Sequence, residues 1–356
     1  MGIEQGSNLQ PTTDTMNTTL TLIQNLEGGS LLTPPQAESL MEELLSGRID
    51  TTEIVRMLQA LNSRPVDARE LASFARVMRQ HAALVFPPGV ALPEKMVDTC
   101  GTGGDGSGTF NISTAAAIVA SAAGARVAKH GNRSISSRCG SADVLEVLGI
   151  RIDLPLEHAG RAIREIGIGF LFAPTAHAAT RHVIPARKQI ARHTVFNLLG
   201  PLTNPAGSQR QVLGVFSAGV VDLVAATLAE LGVERAFVVH GAGGLDEISP
   251  AGETQIAEVR AGTIRRYTVS PEDFRLQRAP LHAIRGGTPE ENAKLIRELL
   301  EGERGAPHDA VVMNASAALV VTDNAADFRS GAEMAAKAIA SGAAKEKLRQ
   351  LVSFVK

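Results

Sequence analysis

Met96-Val97-Asp98-Thr99-Cys100-Gly101-Thr102-Gly103-Gly104-Asp105-Gly106 decides the fold of this chain. Its first residues read as a short strand that runs into glycines, and an alanine-rich helix is expected at about 113–123. Strand, glycine loop and helix in that order open a βα unit. The alternation continues downstream, with strands expected at 126–128, 169–172, 211–216 and 236–240 and helices at 142–148 and 220–231. Strands alternating with helices predict an α/β fold whose mostly parallel sheet is covered on both faces. Helices near 290–301, 309–321 and 326–341 complete the C-terminal part.

Upstream of the loop the character differs. Thr33-Pro34-Pro35-Gln36 has the form of a capping box with Pro at the first helical position, and Gly47 marks the helix end near Ser46. Asp50 with Glu53, and Asp67 with Glu70, start two more helices. Phe86 to Pro93 holds three prolines and a glycine and reads as a linker. The start of the chain to Thr15 is rich in Gln, Thr and Asn, without the basic and apolar stretches of a signal peptide, and reads as a loose tail.

Composition excludes several classes. The net charge of −2 and the absence of a Lys/Arg block argue against a nucleic-acid partner. No apolar run approaches the ~20 residues of a membrane helix. The only cysteines are Cys100 and Cys139, too few for a disulfide framework in 356 residues, and a reducing cytoplasm is the expected location.

Gly101 to Gly106 satisfies G-x-G-x-x-G, a weak signal alone. A dinucleotide site needs an acidic residue about twenty positions on. That region instead reads Lys129-His130-Gly131-Asn132-Arg133, followed by Ser134-Ile135-Ser136-Ser137, which leaves open only a dinucleotide site that uses an arginine, as for NADP. Backbone N–H groups in a glycine loop, a helix N-terminus and this basic, serine-rich segment suit phosphate. The plainer alternatives are a tight turn with a Ser cap and a solvated basic loop. Asp246-Glu247, in a glycine-rich loop after a strand, reads either as an exposed acidic turn or as a Mg2+ site, and a phosphate site in the same sheet favours the metal. Arg187 lies among Arg181, Lys188 and Arg192, and periodicity does not choose which cation meets a ligand. His177 and His182 are equally ambiguous.

These motifs together resemble the anthranilate phosphoribosyltransferase family. The resemblance rests on Asp98 to Asp105, Phe110 to Thr114, Lys129 to Arg133, Gly140 to Asp143, Val195 to Pro205 and Gly244 to Ser249, in that order, and runs from about residue 18 onward. It implies a small N-terminal helical domain plus a larger mostly parallel α/β domain that binds phosphoribosyl pyrophosphate. The expected limits are a tail at 1–16, a helical domain at 17–90 with a returning segment near 187–208, and the large domain at 95–356. It implies phosphoribosyl transfer to anthranilate in tryptophan biosynthesis, with Mg2+, two ions being expected, and a homodimer. Phosphoribosyl pyrophosphate is expected at Gly101, Gly104, Asp105, Thr109, Asn111, Ile112, Ser113 and Thr114, along Lys129 to Ser137 (Lys129, His130, Gly131, Asn132, Arg133, Ser134, Ile135, Ser136, Ser137), and at Ser141. Anthranilate is expected near Gly101 and Asn132, with Arg187 facing its carboxylate, and the metal at Ser113, Asp246 and Glu247. One departure concerns the anthranilate channel: the family commonly shows His-Pro-Ala-Met where this chain has His177-Ala178-Ala179-Thr180. A pyrimidine nucleoside phosphorylase shares the expected architecture, but its lysine- and glycine-rich motifs are not apparent. A nucleic-acid-binding relative would need a more basic surface.

Overall fold

A computed structural model describes residues 13–134 and 137–354. Ile135, Ser136 and residues 1–12 of the expected tail lie outside the described residues. The first helix, α1 (Thr13–Glu27), starts inside the stretch read as tail. It is followed by α2 (Pro34–Ser46), α3 (Thr51–Asn62) and α4 (Ala68–Gln80). Local chemistry sets these boundaries. The Gln36 side chain accepts the Thr33 N–H at 2.9 Å, and Gly47 ends α2 with a left-handed φ of 76°. Asp50 accepts the Glu53 N–H at 2.9 Å, and Asp67 accepts the Arg69 N–H at 2.8 Å. Glu70 is fully buried. It takes two hydrogen bonds from Arg64 and one from the Leu32 N–H, which ties the α1–α2 connection to α4.

The sheet has seven strands in the order β3-β2-β1-β4-β5-β6-β7. They are β1 (Val97–Gly101), β2 (Val127–Gly131), β3 (Ile168–Phe172), β4 (Arg210–Gly214), β5 (Arg235–Gly241), β6 (Thr254–Arg260) and β7 (Thr263–Val269). The first five are parallel; β6 and β7 are antiparallel. The parallel part matches the sequence expectation. The antiparallel pair was not expected, and neither were α7 (Leu156–Ile166) and α15 (Ala343–Phe354), which follow α5 (Ile112–Ala122) and α6 (Ser141–Val147) in the chain.

Side chains alternate between the two faces, and both are buried. Val212 and Phe237 face a cluster made with α5, α12 (Pro289–Leu300), α13 (Ala306–Val321), α14 (Phe328–Ala340) and α15. Leu213 and Val238 face the other cluster, with α11 (Val221–Glu230). That second cluster is continuous with the helical region: Ile23, Leu40, Leu58 and Phe74 of α1 to α4 belong to it. After the short α8 (Ala173–Ala176), α9 (Ile184–Ile190) and α10 (Val195–Leu199) contribute Ala186, Val195, Phe196 and Leu199 to the same cluster. The chain therefore returns to the first helices between β3 and β4. No described helix is long and apolar enough to cross a membrane.

Candidate active site

The parallel strands send their carboxyl ends, and the loops that follow, to one edge of the sheet. The strand order reverses between β1 and β4, and open α/β sheets bind ligands at such a reversal. Gly101 and Gly214 are register partners there. A Cβ on Gly101 would lie 2.6 Å from Asp246 Oδ2, and one on Gly214 only 1.5 Å from the Asp246 carbonyl oxygen. The two glycines therefore let the loop after β5 lie against the sheet edge in backbone contact.

That contact joins the acidic pair to the glycine loop. Asp246 accepts the Gly103 N–H at 2.8 Å, and Glu247 accepts the Ser113 N–H at the start of α5 at 3.1 Å. Asp105 accepts the Asp246 N–H at 3.3 Å. Burial, then the charge of Asp105, pushes the Asp246 carboxyl above the ordinary carboxylate range. Burial, then the charge of Asp246, does the same to Glu247. Both residues nevertheless keep part of their surface open to solvent. Crowded carboxylates on partly exposed residues suit a hard cation taking its other ligands from solvent or substrate phosphates. Among the described residues no group of three or more His, Cys, Asp or Glu is placed to hold an ion.

Lys129 supplies the opposing charge. It is buried on β2, and its ammonium donates to the Thr99 carbonyl at 2.5 Å and to Ser113 Oγ at 3.4 Å. Asp246, Glu247, Asp105, Ser113, Lys129 and the glycine loop are thus brought together. The rest of the basic segment is organised differently. Arg133 is held by Glu146 at 2.6 and 2.8 Å and by Asp143 at 3.0 Å, which keeps its guanidinium firmly protonated. The Ser134 and Gly140 N–H groups donate to Asp143 at 3.0 and 2.8 Å. Burial opposes ionisation of Asp143, but these two N–H groups and Arg133 hold its pKa low. Ser134 Oγ donates to the Ser137 carbonyl, and Ser141 Oγ lies 3.2 Å from the Asn132 N–H.

His130 follows Lys129 in the strand, so its ring lies on the opposite face, edge-on to His177 at 5.3 Å between centroids. Burial, the nearby His177 and Lys129 bring it to about 3, and burial brings His177 to about 4, so both rings are neutral at pH 7. Ile112 and Thr114 are buried in α5. Asn111 accepts from Asn292 at 3.0 Å, and Thr109 forms an isolated antiparallel bridge with Arg285. The segment before α12 therefore braces the far end of the glycine loop.

Arg187, on α9, is half-buried and touches no carboxylate among the described residues. It donates to Asn197 Oδ1 at 3.4 Å, stands 5.9 Å from the Phe196 ring centre, and burial alone lowers its pKa. A desolvated guanidinium without a counter-charge suits a carboxylate ligand. Sequence reading missed the roles of Asp143, Asn197 and Asn292. Asp143 was visible within the Gly140 to Asp143 motif, but its partners were not.

Comparison with known proteins agrees with this architecture. Residues 93–345 match the family model described as the glycosyl transferase family a/b domain, and residues 20–82 match its helical bundle domain. An anthranilate phosphoribosyltransferase of Pelotomaculum thermopropionicum is 50% identical over 93% of this chain and 95% of its own length. One from Myxococcus xanthus is 50% identical over 90% of this chain and 94% of its own. The crystal structure of the Thermus thermophilus anthranilate phosphoribosyltransferase superposes with a TM-score of 0.88 at 43% identity, covering 94% of this chain and 99% of that one. The Saccharomyces cerevisiae enzyme, solved in complex with PRPP (phosphoribosyl pyrophosphate) and Mg, superposes with a TM-score of 0.85 at 28% identity, covering 95% of this chain and 98% of that one. By architecture, motif order and identity over most of its length, the chain belongs to the anthranilate phosphoribosyltransferase family.

Proposed function

We propose that this protein transfers the phosphoribosyl group of phosphoribosyl pyrophosphate to the amine of anthranilate, releasing pyrophosphate, as a step of tryptophan biosynthesis. The observation that carries this reading is the junction of the acidic pair with the glycine loop: Asp246 on Gly103 and Glu247 on Ser113, across the edge of β1 and β4. The N–H groups of the glycine loop and of the α5 N-terminus that the acidic pair does not take would meet the phosphates. Lys129 balances charge beneath them. Asp246, Glu247 and Ser113 would hold Mg2+, two ions being expected, which neutralises the charge of the leaving pyrophosphate. The solved yeast complex with PRPP and Mg supports this choice of ligands.

Arg187 faces the anthranilate carboxylate and orients the amine toward the anomeric carbon; Asn132 and Gly101 line the same side. The aromatic amine is already neutral, so catalysis rests on positioning and on stabilising charge as the sugar gains oxocarbenium character. No side chain needs to act as a covalent nucleophile. A solved yeast complex with 4-fluoroanthranilate supports an aryl subsite of this kind.

The remaining phosphate contacts are proposed at Gly104, Asp105, Thr109, Asn111 to Thr114, the backbone of 130–134, Ser137 and Ser141. Arg133 would have to leave Glu146 and Asp143 to take part through its side chain. The same reading gives a helical domain at 17–90, whose first helix begins earlier at Thr13, completed by 187–208, and a large domain at 95–356. Ala186, Val195, Phe196 and Leu199 of α9 and α10 share an apolar cluster with α1 to α4, which supports the returning segment. A cytoplasmic homodimer is the proposed working form.

Loss of anthranilate fluorescence on mixing protein, anthranilate, phosphoribosyl pyrophosphate and Mg2+ tests the reaction. The decay is expected to need all components and to stop with EDTA. Asp246→Ala with Glu247→Ala should abolish Mg2+-dependent turnover. Unchanged turnover in that double variant would remove the metal assignment.

A further inference from the structure

His193 lies in the turn between α9 and α10, outside every motif that marked the site. Its imidazole meets the glycine loop. A Cβ built on Gly104 would fall 2.3 Å from Nε2 of His193, 3.1 Å from Cε1 and 3.4 Å from Cδ2. The nitrogen is the nearest ring atom, so the ring is presented tip-first to the loop backbone. Gly103 and Gly104 both have left-handed φ, at 65° and 74°. Only glycine combines that conformation with this approach.

The ring is firmly placed. It leans on Phe216, with centroids 4.3 Å apart. The His193 carbonyl accepts from Asn62 of α3 at 2.8 Å, and the next N–H, of Thr194, donates to Asn197 Oδ1 at 3.0 Å. Asn197 Oδ1 also receives Arg187. The turn thus carries an exposed imidazole aimed at the phosphate loop and meets the Arg187 guanidinium of α9 through a shared acceptor, Asn197 Oδ1. The His193 ring has no hydrogen-bond partner among the described residues.

We infer that His193 is a further substrate contact, donating its Nε2–H to a pyrophosphoryl oxygen held at the Gly104 backbone. This rests on the phosphoribosyl transfer reading. A pyrophosphoryl oxygen on the loop would be within reach of both the Gly104 backbone and the ring tip. The contact also links the two substrate sites physically, because the turn that aims His193 fixes Asn197 and, through it, Arg187.

His193→Phe and His193→Gln separate the donor from the packing. Phenylalanine keeps the stacking on Phe216 and removes the N–H; glutamine restores a donor near the position of Nε2. Titration calorimetry with inorganic pyrophosphate in MgCl2, and KM values for both substrates, provide the readouts, with melting temperatures as the fold control. His193→Phe is expected to weaken pyrophosphate binding and raise the KM for phosphoribosyl pyrophosphate by about tenfold or more, the loss of one hydrogen bond to a charged group. The KM for anthranilate should stay near the parent value, and glutamine should recover most of the loss. Parent-like pyrophosphate binding in His193→Phe overturns the inference, as does a loss confined to anthranilate or a failure of glutamine to rescue. A parent protein that neither binds pyrophosphate nor consumes anthranilate would instead overturn the phosphoribosyl transfer reading.

Discussion

Gly214→Ala is the sharpest test of how the site is assembled. Gly214 has an ordinary backbone conformation at the end of β4, so alanine is tolerated by the strand itself. The difficulty is the Asp246 carbonyl, 1.5 Å from the position the new Cβ would take, where real Cβ atoms essentially never come within 3.0 Å. The loop after β5 must therefore retreat by about 1.5 Å, the difference between those two distances. Such a shift strains or breaks the Asp246–Gly103 and Glu247–Ser113 hydrogen bonds, at 2.8 and 3.1 Å, and displaces both carboxylates from the phosphate loop. A misplacement of about 1 Å costs about 100-fold in rate, or about 3 kcal/mol in the barrier. The fluorescence assay should thus show kcat/KM down at least about 100-fold, with a higher Mg2+ requirement. Circular dichroism should confirm an intact fold. Gly219→Ala, whose Cβ would meet nothing closer than Ser217 Oγ at 3.6 Å, is the control. Parent-like activity and Mg2+ dependence in a folded Gly214→Ala would refute the claim that glycine contact at this edge sets the acidic pair.

Arg187→Ala should raise the KM for anthranilate by tens of fold or more, since truncating one member of a desolvated charge pair costs about 2–5 kcal/mol. The KM for phosphoribosyl pyrophosphate should stay within a small factor, and lysine should rescue only part because it lacks the planar fork; equal effects on both substrates would refute the clamp. The buried histidines predict acid sensitivity. His130 and His177 sit at about 3 and about 4 in the folded protein, below the ordinary value of 6.5, because burial penalises the charged ring. The unfolded chain therefore binds more protons, so the stability from these rings is complete above about pH 6.5 and falls as pH drops toward 4 and then 3. At about 1.4 kcal/mol per pKa unit the two rings together are worth several kcal/mol. Urea midpoints should fall between pH 7.5 and 5, and His177→Gln should flatten that slope; equal midpoints in the parent would refute it.

Much of the molecule was legible because its signals are local. Thr33, Asp50 and Asp67 cap their helices through partners two or three residues away. The glycine loop, the basic segment and Asp246-Glu247 are contiguous runs whose residue types already name their chemistry. The alternation of strand and helix followed from apolar runs separated by turns. The antiparallel pair β6–β7 escaped because β7 is an edge strand, polar and largely exposed, without the apolar pattern that marked the others. What only the tertiary structure decided is which distant groups meet. Asp246 reaches Gly103 across 143 residues because a strand reversal and two glycines bring their loops together. Lys129 and His130 are neighbours in sequence, yet the pleat sends one to Ser113 and the other to His177. Arg133, a natural phosphate ligand by type, is claimed by Asp143 and Glu146 one helix turn apart. His193, in no motif, arrives at Gly104 because the chain returns to the helical region before β4. Residue type sets what a side chain can do, and packing of remote elements sets what it does it to.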